Sequence, residues 1–310
     1  MQEITTTRHN HLIDPIFSAW GWEIPVYLFL GGLVAGMMII SGYFLFSGKY
    51  KENNCSCYYL PRVSFILLSL GILALFLDLE HKLYVWRLYT TFELTSPMSW
   101  GSWILVLVYP VLIANMFMRI PENISAKYSI VKNLSEKINA SPVLVKNIGV
   151  LNMILGGLLG IYTGILLSSL GARPLWNTSI LWLLFLISGL SGAAAFVHLI
   201  AKNVKERELL AKADNGFLVI ELFVLLLMII GFLTSSQVAS DAVSLILTGP
   251  FAAVFWVFVI GIGIVIPLII QLLAVNHKIH HTAVAPILVI IGGLILRFVI
   301  VAAGQYSSWF

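Results

Sequence analysis

The residues from Asp78 to Trp103 read DLEHKLYVWRLYTTFELTSPMSWGSW. They set carboxylates (Asp78, Glu80, Glu93), an imidazole (His81) and a guanidinium (Arg87) among aromatic rings. Carboxylates and imidazoles exchange protons near neutral pH when burial and partners tune them. Asp78 and His81, with Glu23 upstream, are therefore candidates for proton exchange with the outside. Arg87 and Arg173 can fix Asp78, stabilise a bound anion or pair with another chain. The closing TSPMSWGSW suits a membrane-helix entrance: Pro97 fits a first turn, Thr95 or Ser96 can cap it, and Trp100 and Trp103 fit the headgroup level.

The elements that must position these residues lie in a membrane. The chain is 59% hydrophobic and only 10% charged, with a mean hydropathy of +0.96, whereas a soluble domain carries about 25% charged residues. A span needs at least ~18 apolar residues to cross ~30 Å of hydrocarbon. Eight such runs are present: Ile24 to Ser47, Leu60 to Leu79, Trp100 to Met118, Ile148 to Leu170, Ser179 to Ile200, Phe217 to Ser235, Pro250 to Val275 and Ala283 to Gly304. The fold class is an all-α integral membrane protein with no room for a separate soluble catalytic domain. The N-terminal run is too long for an export-signal core and reads as a retained helix.

Lysine and arginine set the topology. Arg8, Lys82, Arg87 and Arg173 fall at the N-terminus and in the loops after spans two and four. Thirteen basic residues, from Lys49 to Lys278, fall in the other four loops and their helix ends. This bias puts both termini outside and the lysine-rich loops in the cytoplasm. It also explains the net charge of +4 without nucleic acid. Cys55 and Cys57 occupy the first of the cytoplasmic loops and read as unpaired thiols, because a lone Cys-Ser-Cys lacks further metal ligands.

Gly32 and Gly36 in span one, and Gly156, Gly160 and Gly164 in span four, recur every fourth residue and mark seams of close helix approach. GGLVAG (Gly31 to Gly36) resembles SGLSGA (Ser188 to Ala193), which suggests two four-helix units, residues 1–171 and 172–310.

Ionisable groups in hydrocarbon usually have a partner, a cavity or a pathway. Tyr162 and Arg297 each lie about 14 residues from the inner ends of their spans, about 21 Å at helical rise, and so share a level. On the inner side are His198, Glu221 and Gln271. His198 reads as an interfacial helix-end residue. Glu221, about one turn inside span six, reads equally as a paired structural group or a proton-path residue. HKIHH (His277 to His281) reads as a solvated basic turn, and His9 with His11 makes no site. Histidines in span interiors are too few for two axial haem ligands, which leaves an organic redox carrier, a transported solute or no ligand.

YLFLGGLVAG (Tyr27 to Gly36), LDLEHKLYVWRL with TSPMSWGSW, YTGILLSSLGARPLWNT (Tyr162 to Thr178) and FLISGLSGAAA (Phe185 to Ala195) together closely resemble the NrfD/polysulfide reductase membrane-subunit family, over essentially the whole chain. The resemblance implies a bacterial inner-membrane subunit that anchors a respiratory oxidoreductase and binds a quinone, menaquinone or ubiquinone, near the outer surface. Electrons would pass between that quinone and a [4Fe-4S] ferredoxin-like subunit serving a molybdopterin or multihaem cytochrome c catalytic subunit. This chain itself would hold neither haem nor iron–sulfur cluster. On this resemblance Tyr162 sits at the quinone head, Arg87 is structural and functional, and Trp86 and Trp100 line the site. Glu23 or Tyr27 replaces the histidine or asparagine that some relatives carry near the start of span one. Glu221 and Gln271 would extend a proton path from the cytoplasm, making turnover electrogenic. The alternatives are a solute or ion transporter using Arg297 and Glu221, with Pro267 its mid-helix break, or a structural anchor without a quinone.

Overall fold

The computed structural model describes residues 20–51, 55–118, 129–276 and 282–309. Arg8, His9, His11, Lys127 and the HKIHH run lie outside the described residues. Those described are helical, with no strand among them. Eight helices are long and apolar enough to span a membrane: Glu23–Phe46, Leu60–Asp78, Pro97–Phe117, Pro142–Ser168, Leu181–Ile200, Val204–Leu233, Val254–Val275 and Val284–Tyr306. They follow in the expected order and are called spans one to eight here. A short helix, Gln237–Leu247, joins spans six and seven.

Two spans begin well before their apolar runs. Span four starts at Pro142, where the Ser141 hydroxyl accepts from the Leu144 amide at 3.4 Å. Span six starts at Val204, where the Asn203 side chain accepts from the Lys205 amide at 3.0 Å, and Lys212 pairs with Glu208 one turn back at 2.7 Å. Capping and i,i+4 pairing thus wind a polar stretch that hydropathy alone reads as loop. The resulting helix has 30 residues, about 45 Å against a hydrocarbon core of about 30 Å. Glu221 is consequently not one turn inside span six but 17 residues from its start, about 25 Å along the helix.

Span one is the central helix and packs against spans two, four, five and eight. Its crossing with span five is a backbone contact. A Cβ on Gly189 would stand 2.6 Å from the Gly32 carbonyl oxygen, and one on Gly36 would stand 2.5 Å from Ala193 Cβ and 2.6 Å from the Gly189 carbonyl oxygen. The two glycine motifs that resemble each other in sequence therefore face each other in space. Gly156 meets the Ala35 carbonyl of span one, and Gly263 of span seven meets Gly292 of span eight. The first half of span seven, Val254–Val265, is wound as a π-helix, and Pro267 lies in the first turn of the α-helix Ile266–Val275 that continues it.

At the start of span three neither expected cap operates: Ser96 occupies the N-cap without a side-chain bond. Ser99 Oγ instead accepts from the Glu93 amide at 3.0 Å and donates to the Thr91 carbonyl at 3.3 Å, folding the preceding loop onto the helix from within its first turn. Cys55 is disulfide-bonded, not the free thiol expected; the spacing of the pair did not reveal the tight turn Ser56–Tyr58 at which it sits. The segment is anchored to span six by Glu206, whose carboxylate accepts from the Ser56 amide at 3.3 Å and from its hydroxyl.

The span one–five crossing predicts that Gly189→Ala lowers the unfolding temperature in detergent, at a cost of about 1–3 kcal/mol from overpacking. Gly157→Ala, where an added Cβ meets nothing within 4 Å, should leave it unchanged or raised.

Candidate functional site

A cavity of about 510 Å³ opens at the end of the bundle where spans two and four finish and span one begins. Its wall is largely leucine, from spans one, two and four, with Trp20 and Met98. The polar groups facing it are Tyr27, Asp78, His81, Tyr84, Arg87 and Tyr162. Five of the ten residues singled out from sequence are thus brought together by four separate segments.

Tyr27 and Tyr162 are the buried pair, 1% and 6% exposed. Their phenols interact, yet Tyr27 Oη completes no hydrogen bond within the described protein. The direction of Tyr162 has a cause in TSPMSWGSW. Its ring lies directly on Gly101, where any Cβ would overlap ring carbon and hydroxyl alike. Span three therefore covers the side of span four that points away from the glycine seam, and the glycine between the two tryptophans is the space the tyrosine occupies. The nearby Tyr89 lies within electrostatic reach of both, and half-burial, with Tyr109 beside it, pushes its phenol up from its ordinary value.

Arg87 is held from two sides, its guanidinium 4.6 Å from the Tyr84 ring centroid and 5.7 Å from that of Trp86. Trp86 lies off the wall and meets it through this contact with Arg87. The His81 ring meets Tyr84 edge-on at 6.3 Å. Glu23 is also off the wall but lies within electrostatic reach of Asp78.

Two residues are engaged elsewhere. Trp100 donates its indole N–H to the Leu94 carbonyl at 2.8 Å, closing the loop before span three. Arg173 donates to the Ser307 carbonyl at 2.9 Å and ties the loop after span four to the end of span eight. The same loop carries Trp176, which donates to the Ile300 carbonyl at 2.9 Å and stacks on Trp20 at 5.1 Å. Trp20 in turn exchanges two hydrogen bonds with the Gln305 amide, at 3.1 and 3.0 Å.

A second cavity of about 410 Å³ lies between spans two and three, among Leu73, Phe76 and Tyr109. It shares Leu75, Leu79 and Leu88 with the first, so the two are separated by a single layer of leucines.

Deeper in the bundle Arg297 is 1% exposed. It donates to Ser188 Oγ at 2.5 Å and to the Phe185 carbonyl at 3.0 Å, with its guanidinium 4.7 Å from the Phe185 ring centroid. Glu221 lies beside the same serine and interacts electrostatically with Arg297. Further along span six is Asp214, fully buried, accepting from Ser191 Oγ at 2.6 Å and from Gln271 Nε2 at 2.7 Å. Asp214 was missed by sequence reasoning because it lies before the apolar run. The available signal was its spacing of seven residues from Glu221, which puts both on one helical face. Among the described residues, no three His, Cys, Asp or Glu side chains come together as a metal set.

The contact of Gly101 with Tyr162 predicts a non-additive pair. Gly101→Ala should destabilise the protein in detergent by about 1–3 kcal/mol. Combining it with Tyr162→Leu should recover part of that loss, with a coupling of about 0.5–3 kcal/mol from thermal unfolding of the four proteins.

The polysulphide reductase, NrfD family model matches residues 8–307. Similar proteins include a polysulfide reductase chain of Wolinella succinogenes, 29% identical over 92% of this chain and 94% of that protein. The NrfD protein of Escherichia coli is 31% identical, covering 93% and 95% respectively. A selenate reductase subunit of Mesobacillus selenatarsenatis is 22% identical, covering 95% and 76%. With eight apolar helices and a family match that runs nearly end to end, this chain belongs to the NrfD/polysulphide reductase family of membrane subunits.

Proposed function

We propose that this chain is the quinone-reactive subunit of a respiratory reductase complex, exchanging electrons between a membrane quinone and an iron–sulfur partner. The observation that carries the reading is the cavity itself: an apolar slot with an unpartnered phenol at its buried end and titratable groups at its mouth. A bound quinone would supply a two-electron, two-proton couple. Its needs match what is present: hydrogen-bond partners for carbonyl oxygens, an apolar bed for the ring, and a proton route to water. The cavity volume lies within the usual ~300–1,000 Å³ of small-molecule sites. The neighbouring groove between spans two and three offers an apolar bed for the isoprenoid tail.

In this reading Tyr27 and Tyr162 hold one ligand oxygen, since a phenol both donates and accepts. Asp78 and His81 stand between that position and the cavity mouth, where they take or return protons to bulk water. Arg87, fastened by Tyr84 and Trp86, supplies a fixed positive charge at the same mouth. The lysine-rich loops at the opposite end of the bundle favour a cytoplasmic location for that end, which directs the cavity to the periplasm of an inner membrane. The partner is a [4Fe-4S] ferredoxin-like subunit serving a molybdopterin or multihaem catalytic subunit. Supporting this, two of the similar proteins are named as one chain or subunit of a reductase, so they work beside other chains.

The test is quinol oxidation or quinone reduction by the purified complex, comparing native protein with Tyr162→Phe and Tyr27→Phe. Each substitution removes a hydroxyl and keeps a ring. Turnover should fall about tenfold or more, the equivalent of one lost hydrogen bond, with the partner still bound. Unchanged kinetics in both variants would remove the phenols from the site. Solute flux through the isolated chain in vesicles would favour a transporter instead.

A further inference from the structure

The cavity is bounded differently on two sides. At its mouth stand Asp78, His81 and Arg87, hydrated groups that oppose the passage of a long apolar chain, because stripping water from a charge is costly. Toward the groove between spans two and three, Leu75, Leu79 and Leu88 are the residues that the two spaces share.

That groove opens to the bilayer. Span two packs mainly on span one and span three on span four, and spans two and three touch each other far less. Leu73, on the groove wall, is 51% exposed. The leucine layer behind it has no polar latch. Leu75 lies in the last turn of span two, Leu79 follows where the chain leaves the helix in extended form, and Leu88 sits on the four-residue helix Arg87–Thr90. All three are half-buried, and parting them takes side-chain rotation without the loss of a side-chain hydrogen bond.

Hydroxyls accompany the passage from end to end. Ser69 Oγ and Tyr109 Oη pair at 3.1 Å on the groove wall. Ser69 is nine residues before Asp78, about 13.5 Å along span two, which is mid-depth for a helix of 19 residues. Tyr89 comes next. It lines the groove and lies within electrostatic reach of Tyr109 on one hand and of Tyr27 and Tyr162 on the other. A ligand oxygen moving through hydrocarbon lacks hydrogen bonds unless the wall supplies them, and hydroxyls both donate and accept.

We propose that the groove is a lateral portal: the ligand of the Tyr27–Tyr162 cavity enters from the bilayer between spans two and three, passes the leucine layer as a gate, and has its oxygens handed along the row Ser69, Tyr109, Tyr89. The walls define its class as an apolar ring bearing oxygen acceptors and trailing an aliphatic tail. That this ligand is a quinone rests on the reading above. The portal adds the direction of approach, leaves the charged mouth to protons and water, and makes the tail a feature by which ligands are selected.

Two measurements test it. The first is turnover of the whole complex in proteoliposomes with two quinols of identical head, one with a long isoprenoid tail and one without. Ile72→Trp and Leu73→Trp put bulk in the groove at positions that are not on the cavity wall. In each, the ratio of kcat/KM for the tailed quinol to that for the tail-free one should fall about tenfold or more, as expected when apolar space is overfilled. Ser69→Ala combined with Tyr109→Phe should lower the same ratio about threefold, the scale of a lost hydrogen bond. An unchanged ratio in both tryptophan variants overturns the portal, and an unchanged ratio in the double variant removes the hydroxyls from it. The second is photolabelling of the native complex by a quinone with its photoreactive group on the tail. Adducts should fall at Ile72, Leu73, Phe76 or Tyr109; adducts confined to the mouth, from His81 to Arg87, overturn the portal. A native complex that turns over neither quinol and takes no label defeats the quinone reading itself, whereas turnover of both with no tail dependence in the groove variants defeats the portal alone.

Discussion

The approach of two helix backbones at Gly32, Gly36, Gly189 and Ala193 is the constraint on which the rest of the molecule depends. In hydrocarbon there is no hydrophobic drive to bring helices together, so close packing of small residues has to do it. That crossing places Gly32 against Arg297, since a Cβ there would stand 3.4 Å from Nη2 of the guanidinium. The same absence of side chain that lets span five approach leaves room for the arginine head. Toward the cavity end of span one lies Tyr27, five residues from Gly32 or about 7.5 Å of helix. The cavity and the buried arginine are therefore set relative to each other by one helix.

A buried guanidinium and two buried carboxylates are expensive, and their surroundings show how the cost is contained. Arg297 lies on an aromatic face and donates to the Phe185 carbonyl and the Ser188 hydroxyl of span five, with Glu221 within electrostatic reach. Both hydrogen-bond acceptors belong to span five, the helix that the glycine seam holds against span one. Small residues and charged residues in this bundle thus belong to one design.

The eight spans were legible in the sequence because each contains a long unbroken apolar run, and continuous hydropathy is a signal that needs no tertiary knowledge. Tyr162 was legible as a candidate, but its direction was not: whether the far side of span four meets lipid or protein depends on where span three goes, and only the fold places Gly101 under the ring. Asp214 was hidden by the polar segment Val204–Ala213, whose winding depends on the Asn203 cap and a surface ion pair instead of on hydropathy. Arg173 and Trp100 were selected for their chemistry, which was sound, but both spend their donors on nearby carbonyls to hold loops. Residue type indicates what a side chain can do, and only its neighbours decide what it is left free to do.

The two hydrogen bonds between the Trp20 backbone and the Gln305 side chain join residues 285 positions apart. Trp20 lines the cavity beside Tyr27 and Tyr162, and the ring stacked on it, Trp176, is held by the carbonyl of Ile300. Part of the cavity roof is thus secured by a helix that leaves the ribosome after the other seven spans. A nascent chain that has already inserted Tyr27, Asp78, Arg87 and Tyr162 still lacks the clasp that seats Trp20 above them. Completion of the cavity is in this sense a late event of biogenesis, which separates the insertion of its wall from the seating of its roof.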